Sequence, residues 1–169
     1  ELATGDLFCR TNELLGKLDA IATNPPWGAY KNKSSKKRIS TSIKSGETFS
    51  LFLERSIQLL RQGGQLSFIL PESILKVRTH ADIRRLILKE TKIKKITMLG
   101  RQFTGVFTPV IRLDLVKGSA PKTWLVSVEH PVKHDGIRQE RFKANDSLMF
   151  DIAIRSNDEE LLGKIYSID

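Results

Sequence analysis

Apolar positions fall along this chain in two rhythms, short continuous runs closed by proline or glycine and longer stretches with helical spacing. The run Leu18-Asp19-Ala20-Ile21-Ala22-Thr23 stops at a double proline, which predicts a buried parallel strand with Asn24-Pro25-Pro26-Trp27-Gly28 as the loop at its carboxyl end. Between 31 and 48 hardly any apolar side chain occurs. Lys31, Lys33, Lys36, Lys37, Arg38 and Lys44 stand there among serines and threonines, with no acidic residue before Glu47, the pattern of a mobile basic loop. From about Phe49 to Arg61 the spacing of Phe49, Phe52, Leu53, Ile57 and Leu60 predicts a helix, with Gly63-Gly64 as its left-handed stop. Gln65 to Leu70 reads as a strand ended by Pro71. A second helix is predicted from about Thr79 to Lys89, burying Ala81, Ile83, Leu86 and Ile87, and a strand from Lys94 to Leu99.

Strand, helix, strand, helix, strand is the order of a doubly wound α/β sheet. Further strands are expected at Val110 to Val116 and Lys122 to Glu129, the first leaving a wider loop, Gly100 to Pro109, that carries Phe103 and Phe107. Residues 131–169 read as a β/α extension of a unit spanning 1–130; within it Ser156 and Glu159 have the spacing of a capping box. In open α/β sheets ligands sit beyond the carboxyl ends of the strands. The loops Asn24 to Gly28 and Pro71-Glu72-Ser73 are therefore expected on one edge, facing one cleft.

Composition narrows this picture. A chain of 169 residues with 40% hydrophobic content suffices for one domain with a real core. No run is long and apolar enough for a membrane helix, and no secretion signal opens the chain, so a cytoplasmic setting is expected. Cys9 is the only cysteine, which precludes an internal disulfide and suits a small packing residue. His80, His130 and His134 are not grouped with it in any metal-ligand spacing, so no metal site is expected. The net charge of +9 points to a polyanionic partner.

The candidate chemistry lies in Asn24-Pro25-Pro26-Trp27. Prolines fix φ and remove N–H groups, leaving a stiff turn whose carbonyls can accept hydrogen bonds from outside. An Asn oxygen beside a proline carbonyl makes a pair of acceptors matched to one exocyclic amine, and the indole of Trp27 offers a face on which a base can stack, worth about 1–3 kcal/mol. An adenine amine is a poor nucleophile because its lone pair is delocalised into the ring. Two acceptors that hold its hydrogens out of the ring plane localise that lone pair, by positioning and electrostatics and without a strong base. Inside a duplex the amine is out of reach, so the base would have to be flipped out.

These residues, with several stations around them, resemble the gamma-class, Taq-type N6-adenine DNA methyltransferases of restriction-modification systems. The resemblance covers about Leu2 to Lys117. It implies a partial doubly wound, Rossmann-like sheet of the kind that binds S-adenosylmethionine, with double-stranded DNA as partner. It implies Asn24, Pro25, Pro26 and Trp27 as the catalytic loop, Asn24 and the Pro25 carbonyl holding the amine and Trp27 stacking on the base. Asp6 matches the family's acidic residue for the cofactor's adenine amine, with Leu7 or Phe8 lining that ring and Asn24 at its edge. Gly63 to Pro71 resembles the stretch just beyond the catalytic loop. Phe103 sits where the family places a second aromatic against the flipped adenine, with Phe107 competing for that role. The basic loop Lys31, Lys33, Lys36, Lys37, Arg38 and Lys44, hanging from the catalytic turn, would meet phosphates.

The sequence departs from the family in having no strand and glycine-rich loop for the methionine part of the cofactor. The expectation is a catalytic half whose missing amino-terminal part precedes Glu1, with a target-recognition region after Asp169, and little activity alone. The same loop also suits a guanine of ribosomal RNA or a glutamine amide of a protein. A non-catalytic DNA-binding or specificity fragment is the remaining alternative.

Overall fold

The computed structural model describes residues 11–29, 41–103, 108–130 and 133–152. Strand β1 (Leu18–Thr23) leads through the Asn24 to Gly28 turn towards helix α1 (Thr48–Leu59), which feeds strand β2 (Leu60–Pro71). Helix α2 (Ala81–Glu90) feeds strand β3 (Thr91–Gly100), and with β4 (Val110–Lys117), β5 (Leu125–His130) and β6 (Lys133–Arg138) the described residues form a six-stranded sheet of order β1-β2-β4-β3-β5-β6. β1 and β2 are parallel, β4 runs antiparallel to both its neighbours β2 and β3, and β3 is parallel to β5. The carboxyl ends of β1, β2 and β3 therefore share one edge, and β4 starts from that same edge.

Alternation along the strands sorts the two faces of the sheet. Leu66, Phe68 and Leu70 of β2, with Ile111, Leu113 and Leu115 of β4, are buried in one cluster with Phe49, Leu53 and Ile57 of α1 and Ile83 and Ile87 of α2. The alternate residues Ser67, Arg112 and Asp114 are half-buried and Gln65 is exposed. On that second face Ser67 donates to Asp114 (2.6 Å), Arg112 pairs with Asp114 (3.1 Å) and Lys95 with Glu129 (2.6 Å). An open depression there is lined in part by Ala20, Ala22, Gln65, Ser67 and Ser127. It lies along the face, away from the carboxyl edge. Among the described residues no helix is long and apolar enough to cross a membrane.

Several local expectations need correction. β1 is parallel as expected but not buried: Asp19, Ala20, Ala22 and Thr23 are exposed, because among the described residues it is the sheet's edge strand, paired only with β2. The glycine pair does not stop the helix, since Leu60 is already extended (φ −68°, ψ 136°) and pairs with Leu18. Gly63 (φ 77°) and Gly64 instead absorb a bulge, where the β2 partner of β1 moves from Leu60 to Gln65 as β1 advances from Leu18 to Ala20. A Cβ at Gly64 would stand 2.9 Å from the Arg61 carbonyl and 3.0 Å from that of Leu18. The buried stripe of α2 is Ile83, Arg84, Ile87 and Leu88, while Ala81 and Leu86 are half-buried. The end of the basic loop is anchored: Thr41 and Ser42 hydrogen-bond the Glu54 carboxylate, and the Lys44 and Ser45 N–H groups donate to Asp82 (2.5 and 2.9 Å).

Candidate functional site

The turn after β1 is built by its prolines. Pro25 is buried and anchors the turn, while Asn24 and Pro26 are exposed and Trp27 is half-buried. Among the described residues no hydrogen bond ends on the Asn24 side chain or the Pro25 carbonyl. Gly28 takes φ 100°, a conformation costly for any residue with a Cβ, and its carbonyl accepts from the Thr48 N–H (2.9 Å). The turn thus closes onto the start of α1, reinforced by an isolated bridge between Ala29 and Glu47.

Trp27 is oriented from two sides. Its indole Nε1 donates to the Ile69 carbonyl of β2 (3.4 Å), and its ring meets Phe103 edge to face, with centroids 5.7 Å apart and planes at 73°. The hydrogen bond is long and the aromatic contact is worth about 0.5–1.5 kcal/mol. Phe103, which follows β3, is 41% exposed. The two aromatics singled out in the sequence, 76 positions apart, therefore touch at the carboxyl edge. In this arrangement the edge-to-face rings leave no slot for a flat base, which would need parallel faces. Phe103 must turn to admit one.

The third wall is the turn after β2. Pro71 closes the ladder opposite Val110, and the Glu72 N–H donates to the Pro109 carbonyl (2.8 Å), tying this turn to the residue that leads into β4. Glu72 to Leu75 form a 3-10 turn, and Arg78 to His80 another before α2. His80 is buried, meets Phe49 edge to face (5.2 Å), and its Nδ1 has no partner among the described residues. Burial lowers its pKa from 6.5, against the opposing pull of Glu47; Arg84 lowers it further and Asp82 raises it. Arg84 itself is fully buried, and burial lowers its pKa too, with Asp82 opposing. Neither residue stood out in the sequence. An apolar stripe with one arginine in it is the only signal Arg84 leaves.

Of the remaining expected site residues, Lys44 is exposed and held through its backbone on Asp82, at the first turn of α2. Asp6, Leu7, Phe8, Lys31, Lys33, Lys36, Lys37, Arg38 and Phe107 lie outside the described residues.

The sequence profile of the family described as "Eco57I restriction-modification methylase" matches residues 4–106. The chain is 25% identical over 167 residues to the Type II methyltransferase M.VspI of Vibrio sp. (strain 343), an alignment covering 96% of this chain and 40% of that protein. Among solved structures, the type IIG restriction endonuclease BpuSI superposes with a TM-score of 0.68 at 15% identity, over 86% of this chain and 22% of that one. The M protein of the Type I restriction enzyme EcoKI superposes with a TM-score of 0.52 at 24% identity, over 68% of this chain and 24% of that one. This chain thus spans well under half the length of each. The structural likeness bears on fold alone, a mixed α/β sheet consistent with part of a Rossmann-like architecture.

Proposed function

Since the chain belongs to the Eco57I restriction-modification methylase family, we propose that it holds the base-binding part of an enzyme that methylates the N6 amine of an adenine flipped out of DNA. The observation that carries this reading is the carboxyl edge: an exposed Asn24 on a proline-stiffened turn, beside an indole that a second aromatic ring touches. That the family is one of restriction-modification methylases favours DNA as substrate.

In this mechanism the flipped adenine displaces the Phe103 edge and stacks on Trp27. The Asn24 Oδ1 and the Pro25 carbonyl accept the two N–H bonds of the amine and turn its lone pair out of the ring plane. S-adenosylmethionine, when bound, would supply the methyl group as an electrophilic sulfonium, the S–CH3 bond breaking to leave a neutral thioether. The exposed Asn24 suits a place between base and cofactor, and Asp6, Leu7 and Phe8 would hold the cofactor's adenine. Once the N–C bond forms, the nitrogen's extra proton is acidic and passes to water, so no strong base is required. Lys31, Lys33, Lys36, Lys37, Arg38 and Lys44 would meet phosphates and make binding fall with salt.

Asn24→Ala tests this in the protein carrying this sequence. Transfer, read as N6-methyladenine in nucleosides from digested DNA, should vanish while DNA binding persists. Equal loss of both would assign Asn24 to the fold. Methylated guanine in ribosomal RNA, or methylated protein glutamine, with unmodified adenine would redirect the reading to another amine.

A further inference from the structure

Arg84 has no task in the mechanism above, yet it ties together two segments beside the edge that carries it. The side chain is fully buried on α2, and its hydrogen bonds to the described residues all end on main-chain carbonyls. Nη1 donates to Ile74 (2.7 Å) and Val77 (2.9 Å); Nη2 and Nε donate to Ser147 (2.8 and 3.3 Å). Among the described residues no carboxylate pairs with it in an ion pair. A buried cation in such a place is a poor device for stability, because a well-packed apolar side chain often serves a fold as well or better. What an apolar side chain lacks is a planar fork of five donors, able to hold two separate segments in one geometry.

Those segments are the turn after β2 and the chain around Ser147. The turn is held on its other sides by the Glu72 N–H on Pro109 and by the Phe150 N–H on the Leu75 carbonyl (2.8 Å each). Pro109 is where the connection bearing Phe103 returns to the sheet, and Ile69, which orients the Trp27 indole, lies two residues before Pro71. Both rings of the seat are therefore referenced to the strand end and turn that Arg84 clamps.

We propose that Arg84 is a positioning residue for the aromatic seat, fixing the turn after β2 and, through the bond from Glu72 to Pro109, the end of the Phe103 connection against Trp27. The inference deepens the base-binding reading and rests on it.

The test uses Arg84→Lys, which keeps the charge and loses the fork, and Arg84→Met, which loses both. Each variant in the protein carrying this sequence is studied below the temperature at which its own unfolding curve begins. A single-stranded oligonucleotide holding one 2-aminopurine is titrated: anisotropy reads backbone binding, and quenching of the 2-aminopurine reads stacking on the rings. The expected result is backbone affinity within twofold of the unaltered protein and a stacked fraction at least fivefold lower in both variants. Unchanged quenching would overturn the proposal, and so would parallel loss of affinity, quenching and heat stability, which marks a residue serving the fold alone. Absence of quenching in the unaltered protein would remove the base-binding reading, and the role of Arg84 with it. Quenching there that persists in the variants would remove the role of Arg84 only.

Discussion

Replacing Phe103 with alanine tests whether the edge-to-face pair is a seat or only a cover, because the two give opposite signs. In the free protein the substitution removes a T-shaped contact with Trp27 at 5.7 Å, about 1 kcal/mol at the middle of the range for such pairs. If Phe103 turns and stacks on the base, the bound state loses about 2 kcal/mol of stacking, the middle of its range. The difference, about 1 kcal/mol, weakens base capture roughly fivefold, at 1.4 kcal/mol per tenfold. If Phe103 merely shields the indole, only the free state loses, and capture tightens by about the same factor. Phe103 is 41% exposed, so its removal leaves no large cavity, and the lost contact should lower Tm by only about 2–4 °C. Titration of 2-aminopurine in a duplex opposite an abasic site reads the constant directly. Tighter capture by Phe103→Ala would refute the two-ring seat.

Three further outcomes follow from the packing. His80 has its pKa lowered by burial, so the unfolded chain binds more protons below pH 6.5; stability is fully present above that pH and declines as pH falls towards the folded pKa, in urea titrations at pH 5 to 8. His80→Phe should flatten that decline, and an undiminished slope would assign it to other groups. Phe68→Ala, at a fully buried position between the helices and the sheet, should lower unfolding free energy by about 3–5 kcal/mol; a loss below about 1 kcal/mol would contradict the burial. Gly64→Ala forces a Cβ to 2.9 Å from the Arg61 carbonyl and should cost about 1–3 kcal/mol, seen as a lower urea midpoint at an unchanged slope.

The parts of the fold legible in the sequence were those where side-chain periodicity and backbone punctuation agree. β2, β3 and β4 were marked by apolar runs closed by Pro71, Gly100 and the break before Val110, and both helices by their stripes. Within the expected β/α extension the bounds of β6 were not readable, because Lys133 to Arg138 contain only one large apolar residue, Ile137; the strand is specified by pairing with β5 and not by its own pattern. The start of β3 is supported by side chains that no spacing rule foresees. Gln139 takes the Ile93 N–H (2.7 Å) and donates to the Thr91 carbonyl (2.9 Å), and the Trp124 indole donates to the Ile93 carbonyl (2.8 Å), completing a ladder that β5 reaches only from Lys95 onward. At the site, Trp27 was readable as an aromatic on a strand-end loop and Phe103 as one of two on the Gly100 to Pro109 loop, its place beside Trp27 being implied by the resemblance alone. Arg84 was not, because the pull that buries it comes from main-chain carbonyls, in the turn just ahead of its helix and in the distant chain at Ser147, which no side-chain pattern marks.

The β3 to β4 connection has both its feet in the same antiparallel ladder, Gly100 opposite Val110. Its entrance and exit are therefore fixed about 4.8 Å apart by strand spacing, whatever its length. Each doubling of that length adds only ~0.6 kcal/mol of closure entropy. The scaffold is thus built to accept longer, shorter or grafted inserts at the rim of the cleft while the sheet keeps its register, a natural place to alter what the cleft admits.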